Sequence, residues 1–237
     1  MREYIAESFA DYRINADLRQ KKAKVKAMGI KFVTIGYYIC AKTETPSYLG
    51  INSDSFISVS DCLCDHEPQI VYSHGWKPNG DKPEYINSYF SDKEEYLKMS
   101  DEAETLFEND LLGMDGRFMR KKDAVYFYEK YFAKSGFTLV SASTKEEYAG
   151  LTAGNLDIKV FESCTAEGEL IGCDIIGWDI SGFHSFMCNS IHKDFDDISF
   201  NRYGLLEESF EKAEQISEKI QGKGEPVDWI PVIIHKL

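Results

Sequence analysis

Three groups of side chains have types and spacings that could do chemistry. Cys62, Cys64 and His66 form a C-x-C-x-H string, and His74 follows in the neighbouring segment. Thiolate and imidazole are ligands that zinc prefers, and alternate residues of an extended segment share one face. The first three could therefore meet on one tetrahedral ion, with His74 as the fourth ligand. The usual C-x₂-C pairing is absent, and the competing reading is two thiols packed inward beside an exposed histidine. His184, Cys188 and His192 stand at i, i+4 and i+8. On a helix over 183–192, His184 and Cys188 would face each other as a base and its nucleophile. The whole trio could not hold one ion, because i to i+8 spans about 12 Å at 1.5 Å per residue. No orienting group or oxyanion donor is marked nearby. Phe183, Phe186, Met187 and Ile191 also let the stretch read as core, with Cys188 as a small filler. Asp194-Phe195-Asp196-Asp197 gathers hard-cation ligands but fails the EF-hand template, with Ile198 at an oxygen-ligand position and Ser199 where glycine belongs. A solvated acidic turn describes it better. Gly113 and Gly116 lack the spacing and the Lys-Ser/Thr end of a phosphate loop. No cofactor is expected.

Charge is spread unevenly over the 237 residues. Residues 1–31 carry eight Lys/Arg against four Asp/Glu, whereas residues 146–237 carry 18 Asp/Glu against seven Lys/Arg, in a chain whose net charge is −13. A field of that sign repels nucleic acid and anionic membrane and attracts a cationic partner. The basic face of residues 13–31 is accordingly expected to pair with the protein's own carboxylates, within one subunit or between two. Hydrophobic content of 43% with 14% aromatics is that of a folded chain. No signal peptide or membrane-spanning apolar run is read, so the expectation is a cytoplasmic protein whose six cysteines are reduced.

The elements that must position these groups follow from periodicity. Helices are predicted over 1–28, 92–112, 121–134 and 205–220, where apolar residues recur at helical spacing. Strands are predicted over 31–40, 56–60, 137–140, 156–161, 170–180 and 229–234, and a loop over 65–90. The turn Glu167-Gly168-Glu169 predicts a hairpin near 156–180, and Pro231 is expected near a strand's edge or start. The whole reads as α+β, a mixed or antiparallel sheet with helices packed on it. It would form one domain over 1–237, or two intimately packed lobes of about 1–112 and 113–237.

The stretch Gly172-Cys173-Asp174-Ile175-Ile176-Gly177-Trp178-Asp179 running on to Asn189, with Asn201-Arg202-Tyr203-Gly204-Leu205-Leu206-Glu207-Glu208, resembles segments of bacterial immunity proteins of polymorphic-toxin and contact-dependent inhibition systems. The resemblance lies in an acidic strand, an aromatic-polar turn and an amphipathic helix. It implies a cytosolic α+β protein without enzymatic activity that neutralises a cognate basic toxin by tight binding. Under it the partner-binding residues are Asp174, Trp178, Asp179, Asp194, Asp196, Asp197, Glu207, Glu208 and Glu211, with Trp178 the aromatic anchor. The alternatives are a cysteine- or zinc-dependent hydrolase using Cys188 with His184, or Cys62, Cys64, His66 and His74. A third is a homo-oligomeric scaffold whose basic N-terminal helix docks on an acidic neighbour.

Overall fold

The structure, a computed structural model, describes residues 31–40, 49–51, 53, 56–59, 92–113, 116–134, 136–156, 162–163, 168–179, 182–207, 209–224 and 226–237. The predicted helix over 1–28, the loop over 65–90 and the Cys62, Cys64, His66, His74 group lie outside them. The fold is α+β. Six antiparallel strands run β1 (Phe32–Cys40), β2 (Thr138–Lys145), β3 (Glu162–Ser163), β4 (Glu169–Asp179), β5 (Gly182–Ser185) and β6 (Asp228–Lys236). They lie in the order β3-β1-β2-β6-β4-β5, so one sheet draws on both halves of the chain. The helices are α1 (Lys93–Glu108), α2 (Lys121–Tyr131), α3 (Glu146–Leu156) and α4 (Phe210–Ile220), with a 3₁₀ helix over Cys188–Asp194.

The apolar residues of the sheet divide between two cores. Tyr37 and Ile39 of β1 and Leu139 of β2 pack with Tyr96, Met99 and Ala103 of α1 and Ala124 and Phe127 of α2. The larger cluster joins Val33, Tyr38, Val140, Ala142, Ile175 and Val232 to Phe210, Ala213, Ile216 and Ile220 of α4 and to Phe186 and Ile191. Helix α4 is the plainest case of sequence dictating structure. Its buried apolar residues fall at i, i+3, i+6 and i+10, with Ser217 buried at i+7, and Ser209 caps it by accepting the Lys212 N–H.

Several boundaries differ from expectation for identifiable reasons. Residues 146–156 are helical where no helix is predicted and where a strand is predicted to begin; Glu146 and Glu147 in the first turn complement the helix dipole. The predicted hairpin near 156–180 is displaced toward the C-terminus. Strand β4 pairs with β5, Asp179 opposite Gly182, and with β6, while β3 pairs with β1. Residues 157–161 lie outside the described residues. Strand β2 runs on to Lys145 because its polar side chains are satisfied inside: Thr34 and Ser143 share a hydroxyl hydrogen bond of 3.1 Å, and Thr144 Oγ1 donates to the Pro231 carbonyl at 2.6 Å. Residues 56–59 are buried but make a single bridge rather than a strand, docked by the Ile57 N–H on the Tyr203 carbonyl. Pro231 sits inside a central strand, not at its edge. The β2–β6 ladder ends at Ile233, so the missing N–H of Pro231 falls beyond it, on the side where its carbonyl takes the Thr144 hydroxyl.

A close approach fixes the middle of β1. Its register shifts between Thr34 and Gly36, and the fully buried Arg117 crosses there, with Nη1 3.5 Å from the Ile35 carbonyl. A Cβ on Gly36 would lie 2.3 Å from Arg117 Cγ, whereas one on Gly150 in α3 would meet nothing within 4 Å. The two glycines therefore respond oppositely to alanine. Gly36→Ala is expected to lower the unfolding free energy by about 1–3 kcal/mol through overpacking. Gly150→Ala is expected to raise it by about 0.5–1 kcal/mol through helix propensity. Urea midpoints at unchanged slope measure both; equal shifts of one sign would contradict the reading.

Candidate functional site

Of the residues expected to do chemistry, those on the described segments do not share the helix expected of them. Residues 183–192 are not one helix: His184 lies in β5 opposite Gly177, and Cys188 opens the 3₁₀ helix three residues after that strand ends. The i, i+4 geometry required for a His184–Cys188 pair is therefore absent, because the chain turns at Phe186-Met187. His192 is buried, its Nε2 2.9 Å from the Leu49 carbonyl and its ring edge-on to Phe186 and Phe200. Burial lowers its pKa, as suits a neutral core histidine. Among the described residues no group of three or more His, Cys, Asp or Glu could hold a metal ion. Cys40 and Cys173 are buried thiols outside any disulfide, and burial pushes the Cys40 thiol up to about 12, which makes it unreactive.

The carboxylates expected to face a partner separate into three kinds. Asp194 and Asp197 are paired at the surface with lysines of α4 and of the turn after it: Lys223 Nζ lies 2.7 Å from Asp194 Oδ2, and Lys212 pairs with Asp197 and holds its carboxyl below the usual range. The acidic turn is thus a clamp on α4. Asp196, Glu207 and Glu211 are exposed, and none of them has a salt bridge to a described cation. Asp174 overturns the expectation, since it is 2% exposed in the middle of β4 opposite Val232. Trp178 and Asp179 occupy the last two positions of β4, opposite Phe183 and Gly182 of β5, and Glu208 lies outside the described residues.

What these segments build together is an open groove of about 740 Å³ between the start of β4 and the N-terminus of α4, lined by Leu170, Cys173, Asn201, Glu207, Phe210 and Ile233 among others. Gly172 makes it possible. The β4–β6 register shifts between Leu170 and Gly172, and Gly172 adopts φ +145°, where a Cβ would come within 2.7 Å of Leu205 Cβ and 2.8 Å of Asn201 Nδ2. The 201–206 loop can therefore press on the strand. Asn201 fastens it: Nδ2 donates to the Ile171 carbonyl at 2.5 Å, while Oδ1 accepts the Tyr203 N–H at 2.8 Å. Leu206 then exchanges both backbone hydrogen bonds with Cys173. The chain next runs through Glu207 to the Ser209 cap and into α4.

The groove has an apolar wall and an acidic rim. Leu170 is 61% exposed, the largest exposure of any big apolar side chain described. Phe210 forms part of the wall, its ring edge-on to Phe32 at 5.0 Å and 5.3 Å from Lys145 Nζ. That lysine is already engaged: its Nζ is 2.6 and 2.8 Å from the two Glu214 oxygens, and Tyr148 donates to Glu214 Oε1 at 2.6 Å. Burial and the adjacent Glu214 carboxylate raise the Tyr148 pKa, so its phenol stays protonated at neutral pH. Glu207 forms the acidic rim and accepts from the Ser199 hydroxyl at 3.2 Å, while Glu211 follows Phe210 in the first turn of α4, its carboxyl held below the usual range by hydrogen bonds at the helix start and by Lys145. Sequence patterning flags Glu207 and Glu211 but misses Leu170, Asn201 and Phe210 as a site, because they come together only through the bulge at Gly172. A second depression, on α2, has the opposite sign, lined by Arg120, Lys121, Lys122 and the 52%-exposed Tyr126.

Asp174 generates a pH prediction. Desolvation raises its pKa from 3.8 to about 7, only partly opposed by the Ile175 N–H at 2.8 Å. Native protein thus keeps this proton between pH 4 and 7 while the unfolded chain has lost it, so stability falls as pH rises through that window and the full cost is present above it. At 1.36 kcal/mol per unit the ceiling is about 4 kcal/mol. Asp174→Asn keeps the acceptor for Ile175 and removes the charge. It should stabilise the protein by a few kcal/mol at pH 8 and by close to nothing at pH 4, measured by urea unfolding at both; a pH-independent difference would contradict the assignment.

Comparison with known proteins finds no family model, no curated protein and no solved structure that matches this chain.

Proposed function

We propose that this is a cytoplasmic binding protein whose acid-rimmed groove receives a basic polypeptide segment bearing an apolar side chain, and that it serves as an immunity protein neutralising a cognate basic toxin. The observation that supports the reading is the juxtaposition of exposed Leu170 with Glu207, a rim carboxylate that makes no salt bridge among the described residues, and with the acidic first turn of α4. An apolar anchor desolvated at the centre of an interface supplies most of its binding energy, and surrounding charge supplies encounter rate and selectivity. A surface with this arrangement discriminates against anionic partners, since two glutamates and a chain total of −13 oppose them at long range. The resemblance of residues 172–189 and 201–208 to immunity-protein segments supplies the class of partner, a basic toxin domain. Among the described residues no helix is long and apolar enough to cross a membrane, which is compatible with that setting.

The reading is tested with a basic toxin domain encoded beside this chain's gene, titrated at low and moderate salt. Affinity should drop as salt rises. Leu170→Ala and the charge reversal Glu207→Lys should each weaken binding about tenfold or more, while Asp196→Lys, away from the groove, should change it little. Binding that is salt-independent and indifferent to Leu170 would sink the proposal.

A further inference from the structure

We infer that this protein associates with a second copy of itself, the face of α2 that carries Lys122 and Tyr126 on one copy seating in the acid-rimmed groove of the next. The inference rests on the same reading of the groove as a surface for cations grouped around an apolar anchor, and it identifies such a surface on the molecule itself.

The α2 face has the makings of an anchor. Lys122, Tyr126 and Lys130 stand at i, i+4 and i+8, on one side of the helix. Tyr126 is 52% exposed but held in place: Lys130 Nζ donates to its hydroxyl at 2.9 Å and lies 5.1 Å from its ring centre. Lys130 is fixed in turn by Glu102 of α1, 2.6 Å from its Nζ. An exposed aromatic side chain whose rotamer is already set loses little entropy when a partner buries it, which is the property of an interface anchor. Beside it lies the depression lined by Arg120, Lys121, Lys122, Val125 and Glu129. Asp123 takes up Arg120, and Lys122 is exposed and makes no salt bridge among the described residues.

The groove has the complementary order. Leu170, Phe210 and Ile233 give it an apolar wall, and Glu207 is the one charged residue among its described lining residues. A ring entering between Leu170 and Phe210 would bring the neighbouring cations of α2 to the Glu207 carboxylate. One copy cannot make this contact with itself, because Ala124 and Phe127 fix α2 against α1 and the sheet with its outer face turned away from them. Pairing like patches sets Glu207 against Glu207 or Lys122 against Lys122, so the contact joins unlike surfaces, groove to α2. Such a contact leaves a groove open at one end and an α2 face at the other, and it propagates or closes into a ring. A single small patch makes a transient interface, and the net charge of −13 opposes it at long range. Association is therefore expected only at high protein concentration.

Sedimentation equilibrium of the full chain, from low micromolar to near-millimolar concentration, reads this association. Tyr126→Ala, Lys122→Glu and Glu207→Lys, all at exposed positions, should each raise the dissociation constant about tenfold or more. The decisive sample is an equimolar mixture of the Lys122→Glu and Glu207→Lys variants. In it every groove can again meet an α2 face of opposite sign, so the mixture should associate with close to the affinity of the unmodified chain while each variant alone does not. The inference is overturned if the unmodified chain stays monomeric throughout the range, if the variants associate as it does, or if the mixture remains monomeric. Tyr126 lies outside the groove, so Tyr126→Ala should leave titration with the basic toxin domain unchanged. Toxin binding by a chain that never self-associates would remove this inference and leave the function reading standing. Self-association restored by the mixture, in a chain that binds no basic toxin, would do the reverse.

Discussion

Strand β6 is the constraint on which the rest of the structure depends. It lies between β2 and β4 and holds the two halves of the sheet together, with Ile230, Val232 and Ile234 in the main core. Helix α4 rests on it through Trp229, whose indole N–H reaches the Lys223 carbonyl at 3.0 Å and whose backbone is gripped on both sides by the Gln221 amide. Without β6 there is no floor beneath α4, and without α4 no wall for the groove. The pairing is also distant in sequence, β1 with β2 and β2 with β6 each spanning about a hundred residues. Closure of the sheet must therefore wait on non-local contacts, the regime in which folding is slow.

How much of this was readable in the residues depended on whether apolar periodicity was the deciding force. It was for α4, where burial selects Phe210, Ala213, Ile216 and Ile220, and for β1, whose β-branched and aromatic run is covered on both faces. It was not for the C-terminal half of β2, where Ser141, Ser143 and Thr144 are buried and look like a loop until their hydroxyls find partners across the sheet. Nor was it for α3, whose glycine-bearing sequence has little amphipathic signal. Pro231 was misplaced for a related reason. A proline is incompatible with a ladder only where its N–H would be used, and that depends on how far the neighbouring strand follows, which no local pattern encodes.

The groove was illegible for a different reason, namely that it is composite. Glu207 and Glu211 are visible as acidic residues near a helix start, but Leu170 becomes a surface anchor only because β4 bulges next to it. The 201–206 loop can close on β4 only because residue 172 lacks a side chain. Asp174 shows the converse error. Counted with the acidic surface, it lies inside the sheet, where its carboxyl contributes nothing to long-range attraction and opposes folding at neutral pH.

Net charge over a segment is accordingly a poor measure of the field a partner meets. Of the carboxylates between residues 174 and 214, Asp174 is buried, while Asp194, Asp197 and Glu214 are bound at close range by Lys223, Lys212 and Lys145. These ion pairs are not spread evenly. Two of them use Glu214 and Lys212 of α4 and the third uses Lys223 just after it, so they link the helix and its end to the end of β2 and to the acidic turn. Glu207, just before α4, makes no ion pair among the described residues, and Glu211 meets Lys145 only at longer range. Glu211, in the first turn, also complements the positive end of the helix dipole. The acidic potential is thereby concentrated at one end of one helix, beside the exposed leucine, and the location of unneutralised charge, more than its total, determines which surface of this molecule attracts a cation.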